Sequence, residues 1–283
     1  MRFVTFQNNE SAEPGVILGD NVLGLKGAGF STLLDVIEQG SSALERIAAL
    51  VKNPPNDAMV PLSAARLLTP LSRPPKLIFV GLNYRDHAIE CGAELPKVPA
   101  VFSKYNTSIV GPGDAIVLPK VSAQPDYEAE LGVVIGKKGR HIPKDRWREY
   151  VFGYTNVHDV SARDVQMATS QWLMGKTFDT FAPIGPAIVT SDEIADPNAL
   201  KIELIINGEI LQSSNTSEMV FQIPYLIEHL SSVMTLEPGD IISTGTPAGV
   251  GMAKTPQRWL RPGDNTVVRI EGIPELQNSV RAE

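Results

Sequence analysis

The chain has 283 residues, 43% hydrophobic and 20% charged. That is enough for one large domain or two unequal ones, burying roughly three quarters of the unfolded surface and excluding wholesale disorder. A formal net charge of −7 argues against a nucleic-acid partner, which selects a basic surplus, and against a polybasic membrane anchor. The one cysteine, Cys91, cannot form an internal disulfide, and the N-terminal stretch MRFVTFQNNESAEPG has no long apolar segment; a cytoplasmic protein with no membrane partner is expected.

In chain order, RFVTF, GVILG and NVLGL read as short strands, and STLLDVIEQ and SALERIAALVK as amphipathic helices, each opened by a Ser cap. The segment TPLSRPPK follows, and its prolines cannot continue regular structure. The expectation is a small N-terminal α/β lobe over residues 1–70, sharing few core contacts with a catalytic domain over 71–283.

Beyond the boundary the pattern is strand, turn, strand. KLIFVGL, AVFSKY, AIVLP, EAELGVVIG, VFGYTNV, AIVT, KIELIING, EILQSS, DIISTG and NTVVRI are strand candidates. Asn207-Gly208 marks a two-residue hairpin. Pro-Gly-Asp recurs at 112–114, 238–240 and 262–264, each time ahead of a β-rich run, and reads as three tight turns feeding strands. Helices are few: 84–91, 144–150, 161–169 and 224–234, the last with Pro224 in its first turn. Strands that do not alternate regularly with long helices indicate a β-rich α+β fold.

Three segments could carry chemistry. Asp126-Tyr127-Glu128-Ala129-Glu130 runs into LGVVIG. On a strand, residues two apart share a face, so Glu128 and Glu130 point together with Asp126 beside them. Like charges that close repel unless a cation lies between them, and an all-oxygen set suits Mg²⁺, Mn²⁺ or Ca²⁺. A solvated strand end is the other reading of this pattern. Asp159, where the next strand ends, either completes a three-carboxylate site or caps the helix beginning at Ser161. Arg163 and Gln166 share a helix face, as a hydrogen-bonding wall or as polar surface, and His158 reads as structural.

The third segment is GLNYRDHAIEC. On a helix His87 and Glu90 are neighbours, so Glu90 can hold the imidazole, or the two form an ordinary surface pair. Cys91 lies one turn after His87 but lacks a third orienting group for a thiolate nucleophile. TGTPAGVG has no Gly-Lys-Ser/Thr and reads as a tight turn or pocket backbone, not a phosphate loop. Lys176 is a lone basic residue between apolar flanks.

Together these segments are recognisable. The ordered motifs GLNYRDHAIE, AVFSKYNTSIVGPGD, DYEAELGVVIGKKGRHI, GYTNVHDVSARDVQ, GKTFDTFAPIGP and PGDIISTGTPAGVG resemble the fumarylacetoacetate hydrolase family, in its branch with a short N-terminal domain. The resemblance implies a mixed β-sandwich or roll catalytic domain, a homodimer, and one divalent cation, Mg²⁺ with Mn²⁺ or Ca²⁺ as alternatives. It implies metal ligation by Glu128, Glu130 and Asp159, and substrate contacts from Arg163, Gln166 and Thr246. His87, Glu90 and Lys176 match the family's catalytic positions, with His87 and Glu90 activating water on a segment that closes over the substrate. Val80 stands where the eponymous enzyme has a further carboxylate, which argues against the eponymous substrate.

The chemistry so implied is cleavage of a C–C bond in a 3-acylpyruvate or related 2,4-diketo acid, with the developing enolate stabilised beside the cation and Lys176. The alternative is oxaloacetate decarboxylation or keto–enol tautomerisation in the same site. A binding module without catalysis would lack a proton-handling residue, and none is missing. Trp172 with Gln171, and residues 248–261, are expected to wall the substrate tail.

Overall fold

The strand Ala129–Ile135 is buried at all seven positions because it has a partner on both edges and a packed layer on both faces. It runs antiparallel to Val151–His158 and to Ile241–Ser243. Alternation then divides its side chains. Leu131, Val133 and Ile135 join one core with Ile202, Leu204, Val268 and the helix residues Leu226, Ile227 and Leu230. Val134 joins the other, with Phe79, Phe152, Ile184, Ile188 and Ile241.

The computed structural model describes residues 1–8 and 11–283; Asn9 and Glu10, within the N-terminal stretch, lie outside the described residues. Among these, the large sheet has twelve strands. Its main order is Met59–Pro61, Asn21–Gly24, Ser11–Leu18, Arg2–Asn8, Ala182–Thr190, Val151–His158, Ala129–Ile135, Ile241–Ser243, Leu77–Gly81, Ala100–Ser103. Arg66–Leu68 pairs with Arg2–Asn8, and Ile109–Val110 with Ala182–Thr190. A five-stranded sheet runs Glu209–Asn215, Lys201–Ile206, Asn265–Ile270, Leu276–Ala282, Ile116–Leu118. The fold is the expected β-rich α+β architecture. No helix among the described residues is long and apolar enough to cross a membrane.

Local signals hold where turn chemistry is specific. Asn207 (φ 52°) and Gly208 (φ 85°) form the hairpin turn that closes Ile206 onto Glu209. In each Pro-Gly-Asp turn the glycine takes a positive φ (78°, 87° and 93°) that favours glycine. The Asp carboxylate then accepts from the backbone N–H three residues earlier, at 2.9, 2.8 and 2.9 Å.

Four expectations need correction. The first helix, Leu33–Gln39, is capped by Thr32, not Ser31: Asp35 N donates to Thr32 Oγ1 while Thr32 N donates to Asp35 Oδ2. The second, Ser41–Lys52, starts after Gly40 without a side-chain cap. Of residues 161–169 only Arg163–Gln166 is helical, because Ser161–Ala162 pairs with Pro125–Asp126. Residues 144–150 form a 3₁₀ helix.

The larger correction concerns how separate the N-terminal residues are. Residues 1–70 are not a lobe with few shared core contacts. Arg2 and Phe3 pair with Val189 and Ile188, so the N-terminal strands continue the catalytic sheet. Phe3, Val16, Leu33, Val36, Ile37 and Ile47 share one core with Phe79, Phe152, Ile184 and Ile241. Fully burying one such side chain is worth about 1.5–3 kcal/mol. A fragment of residues 71–283 would bare both that face and a sheet edge, and is expected to lose cooperative folding. A fragment melting within a few degrees of the full chain, followed by circular dichroism, would contradict this.

Candidate active site

Two neighbouring strands bring the carboxylates together: Glu130 lies on Ala129–Ile135, Glu128 just before it, and Asp159 just after Val151–His158. Asp159 N donates to Glu128 O (2.9 Å) and Ala129 pairs with His158, so Glu128, Glu130 and Asp159 meet where the two strands come together. All three are buried, and their ligating oxygens lie within 4.8 Å of one another. The reading of a solvated strand end is thereby excluded. Asp126 does not join them. Its Oδ1 accepts from Tyr127 N and Gly251 N, and its Oδ2 from Met252 N and Arg163 Nε.

Cations surround the trio. Lys176 Nζ lies 2.6 Å from both Glu128 Oε2 and Asp159 Oδ2. Arg163 Nη2 reaches Glu128 Oε1 at 2.6 Å, and its Nη1 donates to Gln166 Oε1. Lys176 can stand so close because Gly175 has no side chain: a Cβ there would lie 2.4 Å from Gln166 N. Lys104, which the sequence reading passed over, is 3% exposed and 2.5 Å from Asp159 Oδ1. Its Nζ also donates to Val160 O and Phe181 O. The signal that could have found it is a lone lysine closing the apolar strand AVFSKY.

The charges divide the carboxyl groups. Burial opposes ionisation of Glu128, but Arg163 and Lys176 outweigh it and hold that group well below the carboxylate range. Glu130 is pushed up to about 8 by burial, reinforced by Asp159 and Glu128, although Lys176 and Ser243 oppose the shift. Burial also raises Asp159, against Lys104 and Lys176. Lys104 is lowered to about 8 by burial. His158 is fully buried and pushed down to about 3 by burial with Lys104 adding, so it is a neutral structural imidazole as expected.

A cavity of about 280 Å³ opens onto this cluster. His87, Glu128, Glu130, Asp159, Arg163, Gln166, Lys176 and Thr246 line it, eight of the nine site positions singled out in the sequence. The ninth, Glu90, stands behind His87, its Oε1 2.7 Å from His87 Nδ1 and its Oε2 accepting from Gly249 N at 2.8 Å. Trp172 and Met252 contribute wall, and Gln171 does not. Thr246 Oγ1 donates to Ala129 O and accepts from Gln212 Nε2, so its hydroxyl is already engaged. A larger cavity of about 430 Å³, lined by Thr5, Pro14, Leu33, Leu68 and Leu71 among others, has no converging carboxylate trio.

The segment bearing His87 is anchored rather than loose. Asn83 donates to Phe221 O and Thr244 O and accepts from Phe221 N; Arg85 reaches Ser217 O and Met219 O; Ser214 Oγ donates to Asp86. These bonds hold Leu82 at φ 52°, a left-handed conformation costly for a residue with a side chain. Burial alone would lower His87, yet Cys91, Glu90 and Glu128 raise it to about 9. In the metal-free chain the imidazole is therefore charged at neutral pH, where water activation calls for the neutral form.

The residues fit a hard divalent cation. Three buried carboxylates converge, and lysines occupy the room a cation's charge would take. Glu130 must lose a proton to ligate, so metal loading at pH 7 is expected to release one, and affinity should rise with pH until about 8. Titration calorimetry in two buffers of different ionisation enthalpy checks this; identical heats would refute it.

The fumarylacetoacetate (FAA) hydrolase C-terminal family model matches residues 76–281. The chain is 48% identical over 290 residues, covering 99% of itself and 91% of the relative, to the mitochondrial oxaloacetate tautomerase Fahd2a of Rattus norvegicus. It is 44% identical over 259 residues, 88% of itself and 86% of the relative, to the oxaloacetate tautomerase YisK of Bacillus subtilis (strain 168). Its fold superposes with a TM-score of 0.84 and 30% identity, over 100% and 99% of the two chains, on maleylpyruvate hydrolase from Sphingobium sp. SYK-6 in complex with manganese(II) and pyruvate. A carboxylate trio with a proton-bearing pair beside it is the apparatus of a metal-dependent enzyme acting on small oxo acids. The chain belongs to the fumarylacetoacetate hydrolase family.

Proposed function

We propose that the protein is a tautomerase interconverting the enol and keto forms of oxaloacetate, with Mg²⁺ or Mn²⁺ in the carboxylate site. One observation carries the reading: His87, with Glu90 behind it, and the carboxylate trio line a single cavity of about 280 Å³. That is below the roughly 300–1,000 Å³ of drug-sized ligand sites and suits a small diacid. The likeness to two oxaloacetate tautomerases supports it.

A cation held by Glu128, Glu130 and Asp159 would supply Lewis acidity toward the 2-oxo oxygen. The chain's own residues do the rest. Ketonisation moves a proton from the C2 hydroxyl to C3 and needs no water. His87 holds a proton at the cavity wall, and Glu90, fixed by Gly249 N, orients the ring. Lys176 puts positive charge where the enolate's negative charge develops. Arg163 holds Glu128 and Gln166 in place.

C–C hydrolysis of a 3-acylpyruvate would use the same carboxylates, with a neutral His87 activating a water in place of proton transfer to C3. The test is to dilute enol-oxaloacetate into buffer with Mg²⁺ or Mn²⁺ and follow loss of the enol absorbance against the spontaneous rate. Acylpyruvates and diketo sugar acids are run in parallel, with products identified by mass. Acceleration of ketonisation is expected. Its absence, with cleavage of an acylpyruvate, would replace this reading by the hydrolase.

The reading includes a cytoplasmic two-fold dimer, from the family likeness, the single Cys91 and the preference of oligomers for closed symmetry. Light scattering is expected to give twice the chain mass at micromolar concentration; a monomer would remove the dimer from the reading.

A further inference from the structure

The turn that carries His87 holds a donor set of different chemistry from the carboxylate trio. His87, Glu90 and Cys91 occupy positions i, i+3 and i+4, so one helical turn aims them together. Cys91 Sγ is 3.8 Å from His87 Nδ1, Glu90 Oε1 is 2.7 Å from it, and the three ligating atoms lie within 4.8 Å of one another. We propose that His87 Nδ1, Glu90 Oε1 and Cys91 Sγ form a second metal site, selective for a thiophilic cation such as Zn²⁺, whose occupation shuts off turnover.

The chemistry favours separation of metals between the two sites. Sulfur and imidazole nitrogen select zinc, while three carboxylates select magnesium or manganese. Three protein ligands with a fourth position left to water is a common zinc arrangement. The donors are already gathered, and the Nδ1–Oε1 hydrogen bond opens to admit the metal between them. Glu90 is pinned from behind by Gly249 N, and the segment is anchored through Asn83, Arg85 and Asp86. It is reachable, because Cys91 is exposed while His87 faces the cavity.

Binding displaces the thiol proton of Cys91 and any proton on His87 Nδ1, both released to solvent, with no change of oxidation state. The imidazole then has zinc on Nδ1 and its remaining proton on Nε2. It can no longer accept a proton, and Glu90 no longer orients it. The effect on turnover rests on the role proposed for His87; the binding does not.

The test uses the full chain, saturated with Mg²⁺ to fill the carboxylate site, and titrated with Co²⁺ as a spectroscopic substitute for Zn²⁺. A thiolate-to-cobalt charge-transfer band in the near ultraviolet is expected, and Cys91→Ser should abolish it. Zn²⁺ should inhibit the wild type reversibly, with an inhibition constant at least about tenfold tighter than in Cys91→Ser, each normalised to its own uninhibited rate. No thiolate band, or equal inhibition of both proteins, would overturn the proposal and put zinc at the carboxylates. A band in a protein that shows no tautomerase activity would support the metal site while the proposed reaction falls.

Discussion

Glu130→Gln is expected to lower enol-to-keto turnover by at least about 100-fold, the scale for removing one preorganised electrostatic group, while leaving the metal-free fold intact. The substitution keeps the size of the side chain. Ser243 Oγ and Gly245 N, which now donate to Glu130 Oε2 at 2.5 and 3.0 Å, can donate to the amide oxygen instead. Glu130 is pushed up to about 8, chiefly by burial, so in the metal-free chain at pH 7 it is mostly neutral and the amide removes little charge. The loss therefore falls on metal affinity and on the field in the cavity.

The sign of the stability change follows from linkage. A carboxyl group raised from 4.5 to about 8 keeps its proton in the folded state and loses it in the unfolded one over that interval. Its contribution is complete below the unfolded pKa and disappears as pH rises through about 8. Chelator-treated wild type should lose stability across this window relative to Glu130→Gln, read as diverging thermal midpoints. Parallel midpoints, or full activity of the variant at low metal, would refute the assignment.

His87→Ala is the second large effect. It should slow ketonisation by about 100-fold or more, the usual scale for a lost proton-transfer group. Metal affinity should stay within a few-fold of wild type, because no carboxylate of the trio is touched. Glu90→Gln should lose less, since the amide oxygen can still accept from Nδ1–H, although the amide NH2 then faces Gly249 N–H and forfeits that bond. Any acylpyruvate cleavage in the wild type should be measured beside it. If His87→Ala leaves ketonisation intact and removes only cleavage, His87 activates water and its assigned role in proton transfer to oxaloacetate fails.

What the sequence determined by itself lies in short-range pattern. The Asn-Gly hairpin and the three Pro-Gly-Asp turns are legible because only certain residues tolerate a positive φ or reach the neighbouring N–H. The pairing of Glu128 with Glu130 on one face is legible because strand side chains alternate. The His87–Glu90 contact follows from helical spacing in the same way.

Tertiary structure decided whatever depended on partners far along the chain. Strand Arg2–Asn8 has the same pattern whether it closes a small lobe or, as found, hydrogen-bonds to Ala182–Thr190; only the pairing distinguishes them. Asp126 looks equivalent to Glu128 in sequence, but the pairing of Pro125–Asp126 with Ser161–Ala162 gives it to Arg163 and the backbone of Gly251 and Met252. Lys104 carries no sequence mark of its contact with Asp159, fifty-five positions away. The charge on His87 was not legible either. It is the sum of burial, Cys91, Glu90 and Glu128, and electrostatic energies add over everything the fold brings near, whatever its distance in sequence.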